Sequence, residues 1–251
     1  MTDAPALMSV AFISDLHLTP ERPASTRLFK EFLGQAARRL ERLYILGDLF
    51  DYWVGDDGGA PLGHGGVETA LRRTAEAGTR IFCMRGNRDF LIGGAFAERA
   101  GCELLPDPVI VELPGPGPAA NRRFLLSHGD ALCTDDVEHQ ASRREMLSAK
   151  WKTAFLQKPL PRRMEAAAAM RRRSEEAKRH KTRAVMDVNQ AAVENLMRQH
   201  GADTLVHGHT HLPAVHRFSL DGKPAWRYVL GDWYEQRSAL YYHRGILALK
   251  K

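Results

Sequence analysis

Val10-Ala11-Phe12-Ile13-Ser14-Asp15-Leu16-His17 opens as an apolar run suited to a buried strand and closes on a D-x-H pair. Four more blocks repeat that plan. Gly47-Asp48 follows the run Leu43–Leu46, and Gly86-Asn87-Arg88-Asp89 follows Arg80–Met84. His128-Gly129-Asp130 follows Phe124–Ser127, and His207-Gly208-His209-Thr210-His211 follows Thr204–Val206. In each block the reactive side chain falls at or just beyond a strand end, where open α/β sheets place their ligands.

Working outward, further strands are expected at Val109–Leu113, Trp226–Leu230, Ala239–His243 and Ile246–Leu249. Helical spacing marks Ser25–Leu40, Gly66–Ala77, Gly94–Ala100 and Asn189–His200, the last capped by Asp187 or Asn189. The run Pro114-Gly115-Pro116-Gly117-Pro118 reads as a long hairpin connection. This βαβα order followed by mostly β predicts a layered α/β protein with mixed sheets.

With 251 residues, 44% hydrophobic and 26% charged, the chain is expected to form one domain over 1–251. Collagenous, disordered and membrane-spanning classes are excluded, because no apolar run nears the ~20 residues a bilayer helix needs. The start Met1-Thr2-Asp3-Ala4-Pro5-Ala6 lacks the pattern of a signal peptide. Cys83, Cys102 and Cys133 are odd in number and show no C-x-x-C spacing, so neither a disulfide framework nor a structural zinc knot is expected.

Charge is uneven. The net charge is +6, yet Arg143 to Arg183 alone holds 14 Lys and Arg against 4 Asp and Glu. The rest of the chain is therefore net negative, and the basic segment calls for an anionic partner. It reads as helices from Glu138 to Leu156 and from Arg162 to Lys181, broken at Pro159-Leu160-Pro161. Leu147, Trp151 and Phe155 recur four apart, a stripe that either packs on the body or walls a lipidic ligand.

Taken singly, Asp15, Asn87 or His128 has a structural explanation as a turn or core residue. Together, two Asp, one Asn and four His suit two divalent cations, mixing carboxylate oxygen with imidazole nitrogen. In D-x-H and H-x-H, an extended backbone puts both side chains on one side. Asp48 can bridge two cations ~3.5–4 Å apart. Mn²⁺ is the expected metal, with Fe²⁺ and Zn²⁺ also compatible.

D-x-H, G-D, G-N-[HR]-[DE], H-G-D and G-H-x-H, in this order, resemble the signature of calcineurin-like metallophosphoesterases. The resemblance implies a four-layer αββα sandwich of two mixed sheets. It also implies a catalytic centre of Asp15, His17, Asp48, Asn87, His128, His207 and His209 around two Mn²⁺ ions. The gaps are 33, 39 and 41 residues from Asp15 to His128, then 79 to His207, which marks 138–186 as a helical lid insertion. Arg88 stands where many relatives carry histidine. Arginine clamps phosphate but cannot act as an acid, which suits a phosphate leaving group that needs no proton.

Finer text resembles the UDP-2,3-diacylglucosamine pyrophosphatases of lipid A biosynthesis. It includes Leu46-Gly47-Asp48-Leu49-Phe50-Asp51-Tyr52-Trp53, Leu132-Cys133-Thr134-Asp135-Asp136 and Val185-Met186-Asp187-Val188-Asn189. That resemblance implies hydrolysis of a UDP-diacylglucosamine lipid to UMP and 2,3-diacylglucosamine 1-phosphate, with water attacking the α-phosphorus. It implies substrate contacts from Asn87, Arg88, Asp136, His207 and the lid residues Arg171, Ser174, Lys178 and Lys181. Lys178 replaces the Asn of some members, and His139 stands where Tyr is expected. A monomer is expected, peripheral to an anionic membrane surface on the cytoplasmic face of the bacterial inner membrane, with no nucleic acid partner. Two alternatives are a nucleotide or dinucleoside-polyphosphate hydrolase, which needs no apolar lid, and a non-catalytic scaffold, which would not retain all seven ligands.

Overall fold

In the computed structural model, residues 9–35, 37–115, 121–234 and 237–250 are described. The first sheet holds β1 (Ser9–Ile13), β2 (Arg42–Leu46), β3 (Arg80–Met84) and β4 (Cys102–Leu105), joined by β10 (Ala239–His243) and β11 (Ile246–Lys250). Its order is β11-β10-β1-β2-β3-β4, parallel from β1 to β4 and antiparallel at β10 and β11. The second sheet runs β5 (Val109–Pro114), β6 (Asn121–Ser127), β7 (Thr204–His207), β9 (Lys223–Val229), β8 (Ala214–Leu220). There β6, β7 and β9 are parallel, and β5 and β8 run antiparallel at the edges.

Period-two alternation builds the layers. Val10, Phe12, Tyr44, Leu46, Phe82 and Met84 meet Phe124, Leu126 and Val206 in a core between the sheets. The alternate residues Ala11, Ile13, Leu43, Ile45, Ile81 and Cys83 pack outward. They meet α1 (Pro23–Gln35), α2 (Gly65–Glu76) and α3 (Gly94–Ala100). On the far side, Leu125 and Leu205 pack against Val193 and Met197 of α8 (Gln190–His200). The expected four-layer sandwich is therefore present, with both sheets mixed.

Two strands, β4 and β8, were not expected. The helix expected from Ser25 to Leu40 ends at Gln35, and a 3-10 turn follows at Ala37–Arg39. Asn189 is the cap of α8, accepting from the Ala192 amide at 3.1 Å. The tip of the proline-glycine hairpin, 116–118, lies outside the described residues, although the strands it joins do pair.

Between β6 and α8 stand α4 (Val137–Leu147), α5 (Ala149–Leu156), α6 (Leu160–Arg179) and α7 (Arg183–Met186). The single helix expected over 138–156 is broken, because Ser148 takes extended backbone (φ −63°, ψ 143°) and caps α5 by accepting from the Trp151 amide. Leu147 and Trp151 therefore sit on different helices. Even so, both pack with buried Phe155 on the first sheet's outer core. Arg163, buried, pins α6 by donating to the Val54 carbonyl at 2.6 Å and to Asp57. The segment returns beside its start: the Asn189 amide donates to Leu132 O at 2.9 Å, and Cys133 Sγ meets Met186 O at 3.4 Å. Among the described residues no helix is long and apolar enough to cross a membrane.

Candidate metal centre

Backbone geometry brings the strand-end residues together. Asp15, His17, Asp48, His209 and His211 all adopt positive φ, between 46° and 69°, a region non-glycine residues seldom enter. Such strain gathers where side chains must be aimed rather than merely packed. Gly47 (φ 89°) carries the chain past His128, whose Nδ1 would lie 2.6 Å from a β-carbon there. A β-carbon on Gly86 would strike the Asp48 carboxylate and backbone. Glycine is needed at both positions because other ligand-bearing segments crowd them.

Within the cleft, His17 Nε2 lies 3.6 Å from Asp48 Oδ2 and 3.9 Å from Asp15 Oδ1. His128 Nε2 is 3.7 Å from Asp48 Oδ2 and 2.9 Å from Asn87 Oδ1. His209 Nδ1 reaches the same Asn87 oxygen at 2.9 Å. Six of the seven expected ligands thus form one cluster. His207 is wholly buried, and its Nδ1 faces Gly208 O at 2.9 Å while its Nε2 faces Arg227 Nη1 at 3.2 Å.

Ser14 Oγ and the His209 amide donate to Asp15 Oδ2 at 2.5 and 2.9 Å, whereas the buried Oδ1 has no hydrogen-bond partner. Asp48 Oδ1 accepts from the Arg88 amide at 2.8 Å. Asp89 is wholly buried and ties two loops together. It accepts from the amides of Gly86 at 2.7 Å and Leu49 at 2.8 Å, with longer contacts to Asp48 and Phe50.

Electrostatics point one way. Burial pushes the Asp48 carboxyl up to about 7, with Asp89 and Asp15 adding like charge against His128. Burial opposes the charge on His128, yet Asp48, Asp15 and Asp130 hold its proton up to about 10. Burial also works to raise Asp15, but His211, His128 and His17 keep it well below the usual carboxylate range. His17 and His209 are driven well below the ordinary imidazole value, chiefly by burial, which leaves each ring neutral with a free lone pair. The cluster holds more negative charge than its dry surroundings favour, and cations relieve that.

A family model, calcineurin-like phosphoesterase, matches residues 8–213. The chain belongs to the calcineurin-like phosphoesterase family. Among curated relatives, the UDP-2,3-diacylglucosamine hydrolase of Aromatoleum aromaticum is 49% identical over 91% of this chain and 90% of its own. The protein of that name from Pseudomonas aeruginosa is 48% identical over 93% of this chain and 94% of its own. Among solved structures, Vps29 from Cryptosporidium parvum aligns over 97% of this chain and 96% of its own at TM-score 0.41 and 14% identity, a loose likeness.

Calcineurin-like phosphoesterases imply divalent cations, and the donor set here fits them. Asp15, Asp48 and His128 bring ligand atoms within 4.8 Å of one another, all three buried, and so do Asp15, His17 and His211. His211 was absent from the expected ligands although its block was singled out. Its Nε2 lies 3.4 Å from Asp15 Oδ1 and its Nδ1 3.3 Å from Asp232 Oδ2, and its proton is held up to about 9 by those carboxylates against burial. Asp89 and Asp51 were likewise passed over.

Two cations of the helical segment between β6 and α8 pair with carboxylates that lie outside its helices. Arg171 Nη2 pairs with Asp51 Oδ2 at 2.9 Å, and Lys181 Nζ with Asp136 Oδ1 at 2.6 Å. Ser174 is half-buried on the same helix, and the Lys178 side chain lies outside the described residues. His139 stacks on His209 with ring centres 5.4 Å apart, and its buried Nε2 has no hydrogen-bond partner.

Proposed function

We propose that this chain hydrolyses the diphosphate of UDP-2,3-diacylglucosamine to UMP and 2,3-diacylglucosamine 1-phosphate. Asp15, His17, Asp48, Asn87, His128, His207 and His209 would together hold two Mn²⁺ ions. His207 must then turn one ring nitrogen away from its present partner. Cations bound there supply Lewis acidity at phosphorus and a water that ionises near neutral pH.

The chain's own residues do the rest. Asp89 fixes the loops that carry Asp48 and Asn87, so the ligand cage is assembled before substrate arrives. The Arg88 guanidinium steadies phosphate oxygens, and the departing phosphate needs no proton. Residues 138–186 act as a helical lid whose cations, Arg171, Lys178 and Lys181 with Ser174, meet the diphosphate and sugar alongside Asp136. A monomer would work at the inner surface of an anionic membrane.

One observation carries the proposal. A buried Asp15-Asp48-His128 cluster lies in a chain that matches hydrolases of that name over nine-tenths of its length. The test compares kcat/KM for UDP-2,3-diacylglucosamine and for a UDP-sugar lacking acyl chains, in Mn²⁺ and after chelation. Metal-dependent turnover with strong preference for the diacyl substrate is expected. Equal efficiency on both would remove the lipid from the assignment.

A further inference from the structure

Where the chain beyond His17 turns into α1, a cavity of about 550 Å³ opens between α1 and the start of α2. Pro20, Pro23 and Val67 give it apolar walls, and none of its lining residues belongs to the metal centre. The first turn of α2 forms one end of it, and that turn has donors to spare. His64, the cap residue, makes no side-chain capping bond. Its carbonyl takes the amides of Val67 and Glu68 at 2.8 and 3.2 Å, but the amides of Gly65 and Gly66 have no acceptor among the described residues. Glu68, the acidic residue of that turn, gives its carboxylate to Arg99 at 2.6 Å rather than to the helix start. The positive end of the helix dipole therefore meets no protein anion.

A cation stands there instead. Lys30 Nζ lies 2.8 Å from where a β-carbon on Gly66 would be, so the glycine lets the ammonium rest against the helix start. Glu31, the acidic residue of the lining, is drawn off to Arg237 at 3.2 Å. Neither Lys30 nor Arg27, which lines the same cavity, has an ion-pair partner among the described residues. Two positive poles placed together repel unless an anion lies between them.

His64 is an independent sign of that anion. It is 3% exposed and lines the cavity, and its ring packs on Phe50 and Trp53 with centres 4.3 and 5.8 Å away. Neither ring nitrogen has a hydrogen-bond partner among the described residues. Burial lowers His64 to about 4, so the ring is neutral and keeps one N–H with nothing to receive it. A buried donor left in that state is costly, and a ligand oxygen relieves it.

We propose that this cavity is a separate anion site that binds a phosphate monoester between the start of α2 and Lys30. The phosphate oxygens accept from the Gly65 and Gly66 amides, the Lys30 ammonium and the His64 ring, and Arg27 adds to the attraction. A tetrahedral dianion has enough acceptors for donors that converge from a helix end, an ammonium and an imidazole. The cavity is larger than one phosphate, and its apolar walls suit a substituent on the ester. Soluble esters and the headgroup of phosphatidic acid share this chemistry.

The test is amide correlation NMR of the full chain loaded with diamagnetic Mg²⁺, titrated with phenylphosphonate, a non-hydrolysable stand-in for a phosphate monoester. The Gly65 and Gly66 amides should shift saturably with Kd below about 10 mM, and chloride at equal ionic strength should leave them in place. Binding at the metal centre is read separately, at the amides of Asn87 and Arg88. Lys30→Met should raise the Kd of the Gly65 and Gly66 response about three- to tenfold, between the worth of an exposed ion pair and of a charge-assisted hydrogen bond. Lys30→Arg should stay within about twofold of wild type. His64→Phe, which keeps the ring packing, should weaken binding severalfold. Flotation with phosphatidylcholine vesicles, plain or holding phosphatidic acid, separates the sources. Recruitment that needs both phosphatidic acid and Lys30 assigns the lipid headgroup, and its absence assigns a soluble ester. Gly65 and Gly66 amides that do not respond to the phosphonate, or shifts that chloride reproduces, would overturn the site. So would an unchanged Kd in Lys30→Met and His64→Phe, which would reduce it to a bare helix end.

Discussion

The ligand cage and the helices above it are held by different physics. In the cage, short side chains are aimed by backbone: left-handed φ at five ligand-block residues, glycines where loops touch, and the Asp89 carboxylate gathering amides. In the helices between β6 and α8, long side chains reach across gaps, Arg143 to Asp130, Arg163 to Asp57, Arg171 to Asp51 and Lys181 to Asp136. A cage built from backbone has few ways to shift and fails abruptly. A cover held in part by ion pairs, beside the apolar packing of Leu147, Trp151 and Phe155, has contacts that loosen in small steps and respond to salt.

The sharpest break of that contrast is Asp48→Asn. Turnover should drop by roughly three orders of magnitude or more, because in the proposed reaction that carboxylate would hold the cations that activate water. Metal content should fall by elemental analysis while far-ultraviolet circular dichroism stays native. Full activity in the variant would remove Asp48 from the centre.

Gly86→Ala tests the backbone side alone. The added methyl meets the Asp48 carboxylate, and a displacement of about 1 Å costs on the order of 10²-fold in rate. Ordinary kinetics in a folded variant would show that the loops yield more than their packing suggests.

Next comes pH. To bind a cation, Asp48 must shed a proton it holds up to about 7, and His128 one held up to about 10. Protons are released on loading, so Mn²⁺ affinity should strengthen from pH 6 to pH 8, by roughly tenfold per unit for each proton displaced. Calorimetry in buffers of different ionisation enthalpy counts those protons. A flat affinity would mean that neither Asp48 nor His128 holds the proton assigned to it.

The smallest effect belongs to the cover. Lys181→Met removes a charge now shared by Asp136 and Glu138. It should raise KM for the lipid substrate severalfold, as expected for a partly exposed ionic contact, with kcat and metal content close to wild type. A collapse of kcat instead would place Lys181 within the cage.

That these side chains gather in one cleft was legible because each block follows a strand with period-two apolar residues, and strand ends fix position. Asp89 was not. Nothing in a sequence separates a carboxylate that binds metal from one that accepts backbone amides. His211 was quoted and passed over for a related reason, since H-x-H-x-H offers three imidazoles and left-handed backbone decides which face inward. The missed strand β8 is an edge strand largely open to solvent, so its alternation is weak and shows mainly at Phe218 and Leu220. The break at Ser148 was masked by helical spacing that persists across it, and the extended backbone there with its capping bond to Trp151 reveals it.

The helical segment leaves and re-enters the sandwich at a single neck, where Leu132 and Cys133 touch Asn189 and Met186. Neither sheet's register passes through it. Such a cassette can lengthen, shorten or be traded between related proteins while the strands keep their alignment, so ligand choice can diversify independently of the chemistry beneath. A chimaera carrying a relative's helices should keep wild-type metal stoichiometry, and loss of bound metal on grafting would show that the two parts are not separable.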